Sequence, residues 1–174
     1  MPVQTERGGL AQALSELASN TNAFPDIECI YVHDETTDVT DKEMKLQLYR
    51  IAQEATNNAL KHAEASFIKI MLRTEGDRLI LQVEDDGQGF DVEACRSKSL
   101  GLHSMFYRAR SVDAQLEIDS EAGMGTTVQC EVPLDALTRA GEAADASGTS
   151  DEPDALDASG GPDESDAPDA PDAS

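Results

Sequence analysis

The chain has 174 residues, of which 35 are acidic and 13 are Lys or Arg, and its formal net charge is −22 at pH 7. Hydrophobic residues make up 39% and aromatic residues 4% of the sequence. The length is typical of one domain, and the charge excludes a surface that wraps nucleic acid or lies on an anionic membrane.

The negative charge is not evenly spread along the chain, although both of its parts are acidic. Residues 141–174 hold 11 acidic residues and no Lys or Arg, and the first 140 residues still carry 24 acidic against 13 basic side chains. Such a surface stays hydrated in concentrated salt, where repulsion between charges is screened over short distances. We therefore expect a halophilic cytosol, and the alternative is an acidic mesophilic domain with an unrelated acidic tail.

The cysteines and the hydropathy indicate a cytoplasmic protein. Cys29, Cys95 and Cys130 are widely spaced, so neither a disulfide framework nor a zinc site is indicated, and a reducing environment fits. No window approaches the length of a membrane span, and no basic segment followed by an apolar one comes after Met1. We expect neither a signal peptide nor direct membrane insertion.

Three elements are predicted in the N-terminal third of the chain. Apolar residues at helical spacing predict a short amphipathic helix over residues 10–17. After a break at Pro25, residues 27–32 have the composition of a strand. Residues 40–41 can cap a long amphipathic helix over residues 42–63.

Two hairpins and a further helix are predicted in the rest of the domain. The elements are strands at 67–73 and 78–84, a glycine-rich loop at 85–90, a flexible connector at 91–99, a helix at 102–112, and strands at 115–118 and 126–132. This order predicts an α+β fold, a two-layer α/β sandwich whose mixed, mainly antiparallel sheet carries helices on one face. We place this domain at residues 1–137.

The remaining residues, 138–174, are predicted to be an acidic disordered tail. From residue 141 onward they consist largely of Asp, Ala, Pro, Ser and Gly, with no aromatic or β-branched apolar side chain to bury. A solvated extension is favoured over a binding tail.

The long helix carries polar side chains on one face. Glu54, Asn58 and His62 are spaced four apart, and Lys61 lies beside them. An amide oxygen is a hard ligand for Mg²⁺, a lysine offers charge to phosphate, and a carboxylate can hold a nucleophile or water. The pattern suits a magnesium-bound polyphosphate, but taken alone it is more typical of the exposed face of an ordinary helix.

Two glycine-containing loops have a similar ambiguity. In residues 85–89 the glycines permit close approach of the backbone to a ligand, and the carboxylate of Asp85 can accept from an amino group such as that of adenine. Residues 123–126 are most simply a hairpin turn with a Thr hydroxyl at the start of the next strand. Each loop alone is a weak signal, and their order after the long helix carries more information.

Four motifs occur in the order LYRIAQEATNNALKHA, DDGQGF, SLGLHSM and GMGTT. In order and spacing they resemble the N, G1, G2 and G3 boxes of the ATP-binding domain of sensor histidine kinases, in the superfamily shared with gyrase, a heat-shock chaperone and mismatch-repair ATPases. The segments GLHSMFYRA and EIDSEAGMGTTVQCEVPL look like the nitrate-sensor branch of two-component kinases. The resemblance covers roughly residues 8–134 and implies the histidine kinase ATPase fold.

The resemblance implies a role for each matching residue. Glu54 would be the catalytic carboxylate and Asn58 the Mg²⁺ ligand, with Lys61 and His62 near the phosphates of ATP. Asp85 would accept from the adenine amino group.

The other matching residues would shape the nucleotide site. Gly87 and Gly89 would form the pocket and the hinge of the lid, and Thr126 would help hold adenine through water. Gly101 and Leu102 match the phosphate-cradling segment that leads into a helix N-terminus, where backbone amides favour anions. The family's usual first glycine of this segment is replaced by Ser99, which disfavours positive φ.

The implied activity is that of a protein histidine kinase in two-component signalling. It would transfer the γ-phosphoryl group of Mg-ATP to a histidine on a separate or missing dimerisation domain, and a response regulator would then receive the group. None of His33, His62 and His103 begins a long amphipathic helix with acidic neighbours, as the acceptor should. We therefore expect no autophosphorylation in cis.

Two other functions remain open at the level of sequence. One is a stand-alone serine kinase of the anti-sigma-factor type, which shares the four boxes and would bind a sigma factor. The other is a degenerate nucleotide fold kept as an interaction module, which Ser99 and the absent acceptor favour and the intact Glu54 and Asn58 oppose.

Overall fold

The computed structural model describes residues 9–34, 39–96 and 99–137. The helices are α1 (Leu10–Thr21), α2 (Lys42–His62), α3 (Val92–Arg96) and α4 (Leu100–Ser111). The strands are β1 (Glu28–His33), β2 (Phe67–Glu75), β3 (Arg78–Asp85), β4 (Gln115–Ser120) and β5 (Thr126–Pro133). The predicted tail, 138–174, lies outside the described residues.

The strands form one five-stranded sheet in the order β1-β2-β3-β5-β4. β1 is parallel to β2, and the other three pairs are antiparallel. The predicted fold class, a mixed and mainly antiparallel sheet with helices, is confirmed. The register pairs Asp85 at the end of β3 with Thr126 at the start of β5, so two of the predicted site residues become neighbours.

The core lies between one face of the sheet and the helices. Alternate residues of β2, namely Ile68, Ile70 and Leu72, are buried on this face, as are Leu48 and Ile51 of α2. The hydrophobic effect therefore fixes which face of each element points inward.

The opposite face of the sheet is largely polar. Lys69 lies 3.7 Å from Glu84, and Arg78 lies 2.7 Å from Glu131. These pairs are partly exposed and contribute little to stability.

The long helix α2 positions one wall of the site. Its N-terminus is capped by Asp41, whose side chain accepts from the Met44 amide at 2.7 Å. Its buried face packs over the sheet, while Glu54 and Asn58 are half-buried along the edge that faces α4. Both side chains line the same cavity as Asp85 at the end of β3.

Two sequence predictions differ from the structure. The flexible connector predicted at 91–99 is wrong in part, because it contains α3, whose first turn is capped by the side chain of Asp91 accepting from the Ala94 amide at 3.0 Å. Helix α4 begins at Leu100 rather than residue 102, because the Ser99 hydroxyl caps it. Among the described residues, no helix combines the length and apolar character needed to span a bilayer.

Candidate functional site

A cavity of about 380 Å³ lies between α2, α4 and the sheet edge. Its apolar lining includes Val83, Met105, Ile118 and Val128, which come from β3, α4, β4 and β5. The predicted site residues that line it are Glu54, Asn58, His62, Asp85, Gly89, Gly101, Leu102 and Thr126. The cavity thus combines an apolar wall with a few polar groups, as small-molecule sites do.

Asp85 is the carboxylate at the sheet side of the cavity. The Gly87 amide donates to its Oδ1 at 2.9 Å, and Thr126 is the partner of Asp85 in the β3–β5 register. Burial raises the pKa of Asp85, the hydrogen bonds from Gly87 and Thr126 oppose this rise, and the neighbouring Asp86 charge adds to it. The Asp85 carboxylate is therefore a hydrogen-bond acceptor that is fixed in position and partly desolvated.

Gly87 does not line the cavity but lets the loop after β3 pass against the end of α2. A Cβ at this position would overlap both the Cβ and the carbonyl oxygen of Ala63. Gln88 then closes the contact, because its amide N–H donates to the Ala63 carbonyl at 2.7 Å and its side chain donates to the His62 carbonyl at 2.6 Å. Sequence reasoning missed Gln88, since nothing local marks a glutamine between two glycines.

The second glycine loop packs directly on the first. Gly89 and Gly125 have φ values of +62° and +80°, and a Cβ on them would overlap backbone carbonyl oxygens of Glu121 and Asp85, respectively. Only glycine satisfies both requirements. The close approach holds the two loops on one side of the cavity.

Ser120 is a further residue at this junction that the sequence reasoning missed. Its hydroxyl accepts from the Phe90 amide at 3.0 Å and donates to the Gly125 carbonyl at 2.8 Å. It also lies 3.1 Å from the Thr126 hydroxyl. The signal in the sequence is weak, because the predicted strand ended at residue 118 and a serine in the polar stretch that follows a strand is common.

The first turn of α4 covers the polar stripe of α2. A Cβ at Gly101 would overlap the carboxylate oxygen Oε1 of Glu54 and would lie 3.7 Å from Nδ2 of Asn58. Ser99 has φ −92° and its hydroxyl accepts from the Leu102 amide at 3.4 Å. The serine therefore serves as a helix cap in a conformation that needs no glycine.

Two predicted residues have other surroundings than the motif suggests. Lys61 is exposed on the last turn of α2 and is not among the residues that line the cavity. Leu102 is 4% exposed, so its side chain anchors α4 to the core, and only its backbone amide remains near the helix N-terminus.

Residues 43–136 match the family model of histidine kinase-, DNA gyrase B- and HSP90-like ATPases. The chain belongs to this ATPase family.

Relatives of this ATPase domain include sensor histidine kinases. It is 32% identical to sensor histidine kinase LiaS of Bacillus subtilis over 133 residues, 76% of this chain and 36% of LiaS. It is 35% identical to sensor histidine kinase ComP of the same organism over 128 residues, 72% of this chain and 17% of ComP. The chain therefore spans only a minor part of the length of these relatives.

A solved structure agrees with the family. The histidine kinase domain of the blue-light activated histidine kinase EL346 from Erythrobacter litoralis superposes with a TM-score of 0.64 and 25% sequence identity, over 76% of this chain and 68% of that chain. The resemblance to the ATP-binding catalytic domain of a sensor histidine kinase is thus confirmed.

The ATPase domain's cavity fits a nucleotide with a magnesium ion. The apolar wall suits a purine, the Asp85 carboxylate suits its amino group, and Asn58 offers an amide oxygen on the opposite side. Among the described residues, no group of three or more His, Cys, Asp or Glu side chains could hold a metal ion by itself. A magnesium ion would therefore share its ligands between Asn58, phosphate oxygens and water, which is the arrangement that Mg²⁺ prefers.

Proposed function

We propose that this domain binds Mg-ATP in the cavity and transfers the γ-phosphoryl group to a histidine of a dimerisation domain in two-component signalling. The observation that carries the proposal is that residues of the predicted site from three parts of the fold line a single cavity. Glu54 and Asn58 come from α2, Asp85 and Thr126 come from the sheet edge, and Gly101 opens the first turn of α4. Residues that are as far apart in the sequence as positions 54 and 126 thus line one cavity of the size of a nucleotide.

Adenine would occupy the sheet side of the cavity. Its amino group would donate to the Asp85 carboxylate, and the Thr126 hydroxyl would support it through water. The apolar side chains of Val83, Ile118 and Val128 would contact the ring and exclude water from it. A hydrogen bond from the amino group to this carboxylate would favour binding, because burial has removed part of the water around the carboxylate.

The phosphates would point toward the N-terminus of α4. The amides of Gly101 and Leu102 belong to its first turn, where the helix dipole favours anions. The Leu102 amide donates to the Ser99 hydroxyl at 3.4 Å, and a phosphate oxygen would replace this long contact. His62 lines the same cavity, and Lys61 on the neighbouring exposed surface adds long-range positive charge.

The transfer would break the bond between the γ-phosphorus and the bridging oxygen of ADP and form a phosphorus–nitrogen bond to the acceptor imidazole. Asn58 would hold the magnesium ion, which supplies neutralisation of the phosphate charge when bound. Glu54 would orient the acceptor and take its ring proton as the new bond forms. In such reactions the protein contributes position and charge more than covalent chemistry.

The acceptor histidine would lie on another polypeptide or on a segment outside these 174 residues. His33 ends β1 with its Nε2 buried, His62 lines the cavity, and His103 lies on α4. All three belong to the ATPase domain itself, so we propose that this chain does not phosphorylate itself in cis. A response regulator would receive the phosphoryl group in the next step.

The proposed setting is a cytoplasm of high salt. The support is the net charge of −22, which destabilises a compact chain through self-repulsion unless salt screens it. The free energy of unfolding should therefore rise when KCl is increased from about 0.1 M to about 2 M. No rise over this interval would contradict the halophilic setting.

The first experiment is calorimetry of ATP binding in about 2 M KCl, with and without magnesium. The wild-type chain should bind ATP with affinity that depends on Mg²⁺, and Asn58→Ala should lose that dependence. Arg110→Ala, a change on the exposed side of α4, is the matched control. A folded wild-type chain that binds no ATP would contradict the proposal and favour an interaction module.

The second experiment supplies a dimerisation domain that carries an acceptor histidine. Glu54→Ala should abolish phosphoryl transfer and leave ATP binding largely intact, and Asn58→Asp should also abolish transfer. The product should be an acid-labile phosphohistidine. An acid-stable phosphoserine on a sigma-factor regulator would instead favour the serine kinase function, and full transfer by Glu54→Ala would refute the role assigned to Glu54.

A further inference from the structure

One arginine of α2 and one of α4 have neutral side chains as their hydrogen-bond partners in the described part of the chain. Arg50 donates from Nη1 to Oε1 of Gln53 at 2.8 Å. Arg108 donates from Nη1 to Oε1 of Gln47 at 2.9 Å and from Nε to Oγ of Ser104 at 3.2 Å. The second arginine therefore bridges the two helices through a glutamine of α2.

Neither arginine forms an ion pair with a described residue, although the chain holds 35 acidic residues. The ion pairs of the described residues are those of Lys69, Arg73 and Arg78, all on the sheet. Arg50 and Arg108 are half-buried, so part of their hydration is lost and a carboxylate would bind them more strongly than in open water. The described bonds use one N–H group of Arg50 and two of Arg108, which leaves most of each guanidinium fork for a further partner.

Both arginines lie near Glu54 but outside the cavity. Arg50 is four residues before Glu54, so the two lie on one side of α2, about one turn apart. Helix α4 crosses this side in the opposite direction, because Gly101 faces Glu54 and Arg108 bonds to Gln47. Glu54 lines the cavity and neither arginine does. The boundary between α2 and α4 therefore leads from the cavity, past Glu54, to the two guanidinium groups.

The exposed side of α4, which adjoins the side bearing Arg108, carries two large apolar side chains. Leu100 is 86% exposed and Tyr107 is 76% exposed. They are seven residues apart and thus lie on the same side of the helix, about two turns from each other. A site for a small anion gains nothing from exposed apolar side chains, whereas protein interfaces combine tyrosine and other apolar side chains with arginine. The composition favours a protein partner over a free phosphate.

We propose that Arg50 and Arg108 form a docking site for a carboxylate of the acceptor domain, the dimerisation domain that carries the acceptor histidine. Leu100 and Tyr107 contact apolar side chains of the same domain. This rests on the proposed function, because it assumes that the acceptor histidine approaches Glu54. Since Arg50 is about one helical turn, or about 5.4 Å, from Glu54, the carboxylate would lie at a similar distance from the acceptor imidazole. Bidentate binding there would fix the register in which the acceptor domain docks.

The test measures phosphoryl transfer as a function of acceptor-domain concentration at saturating Mg-ATP, in about 2 M KCl, where half-buried charges are screened less than exposed ones. Arg50→Gln and Arg108→Gln should each raise KM for the acceptor domain about tenfold, the effect of losing a charge-assisted hydrogen bond, and change kcat less than about threefold. Arg110→Gln removes an arginine from the exposed side of α4 and should leave both constants unchanged. Calorimetry should show the wild-type affinity for ATP in all three variants.

The carboxylate is identified by changing the acceptor domain. Each Asp or Glu within about four residues of its acceptor histidine is replaced by Asn or Gln. One of these changes should raise KM as much as Arg108→Gln does, and the two together should add little further loss, because they remove the same contact. Losses that add fully for every carboxylate would refute a direct pairing.

Three other results would overturn the proposal. Unchanged KM in Arg50→Gln and Arg108→Gln would exclude a docking role. An equal rise in Arg110→Gln would point to a general loss of positive charge, and a fall in ATP affinity that accounts for the lost transfer would show that the guanidinium groups bind the nucleotide phosphates instead.

A purely structural role of Arg108 has its own control, since this residue also joins α4 to α2. Gln47→Ala removes that bond and keeps the guanidinium group, so its KM should stay near the wild-type value. A rise equal to that of Arg108→Gln would mean that the arginine only holds the helices together. If Arg108→Gln fails to fold in a circular dichroism melt, Arg50→Gln decides, because the described bond of Arg50 lies within α2.

Binding of the acceptor domain without ATP, measured by surface plasmon resonance, separates this proposal from the proposed function. A wild type that bound the acceptor domain, with an affinity lowered by Arg50→Gln, but transferred no phosphate would contradict the proposed function and support the docking site. Transfer by both arginine variants with the wild-type KM would support the proposed function and refute the docking site.

Discussion

The substitution Gly101→Ala tests the contact between α4 and the polar stripe of α2. In a helix an alanine is favoured over glycine by up to about 1 kcal/mol. Here the added Cβ would overlap Oε1 of Glu54, the far end of a flexible, half-buried side chain that can yield by changing its torsion angles, at a cost of up to about 1.5 kcal/mol. The two terms nearly cancel, so we expect the free energy of unfolding to change by less than about 1 kcal/mol.

The activity should respond very differently. The displaced carboxylate is the one proposed to orient the acceptor, and a misplacement of about 1 Å can lower a rate about 100-fold. Urea unfolding gives the stability, and transfer of labelled phosphate from ATP to a supplied acceptor domain gives the rate, with Arg110→Ala as the control on the same helix. Gly101→Ala that kept its full transfer rate, or that lost more than about 2 kcal/mol of stability, would refute the reasoning.

Three further predictions concern stability. The Tyr31 hydroxyl is buried without a partner among the described residues, so Tyr31→Phe should stabilise by about 1 kcal/mol in urea unfolding. Burial raises the Tyr31 pKa to about 12, so the wild type should lose more stability than Tyr31→Phe as pH rises above about 10, and no gain in Tyr31→Phe would show a hydrated hydroxyl. The Asp86 carboxylate accepts from the Ser66 amide at 2.8 Å and the Ser66 hydroxyl at 2.6 Å, and these bonds lower its pKa. Asp86→Ala should therefore cost about 1 kcal/mol at pH 7, a difference that begins to shrink below about pH 4 and is lost once pH falls through the lowered pKa of Asp86; a cost that did not change with falling pH would point to another cause. Gly125→Ala should lower the free energy of unfolding by more than about 2 kcal/mol, because a left-handed φ is combined with overlap of the new Cβ with backbone. Gly123→Ala is the control: its φ is +83° but the space around it is open, so it should cost only about 1 kcal/mol. Equal losses of stability in the two variants would contradict the overlap.

The spacing of apolar residues predicted the helices and strands, because burying one face of an element requires apolar residues at the repeat of that element. The apolar spacing of α2 and the alternation of β2 and β3 are visible in the chain, and the structure buries the corresponding side chains. The ends of helices were predicted less well where a single capping side chain determines the first residue of the helix. The caps by Asp91 and Ser99 extended helical structure into a region predicted as a connector.

The geometry of the candidate site was predictable where residues share a helix face. Glu54, Asn58 and His62 advance by four residues each and line the cavity together. Lys61 is one residue earlier than His62, so it is rotated by about 100° around the helix axis and is not among the residues that line the cavity. The roles of these residues in catalysis and nucleotide binding stay predictions.

The sequence by itself determined the ATPase family, the fold class and the candidate residues, because each of the four motifs is a short contiguous pattern. Only the tertiary structure decided which motifs touch. Three contacts show this: the parallel pairing of β1 with β2, the hydrogen bond from Gln88 to the end of α2, and the contact between the Ser120 and Thr126 hydroxyls. Each joins segments that are separated in the chain or are connected by a turn whose direction the sequence does not reveal. Such contacts depend on how strands and helices pack in three dimensions, and local propensity carries no information about them.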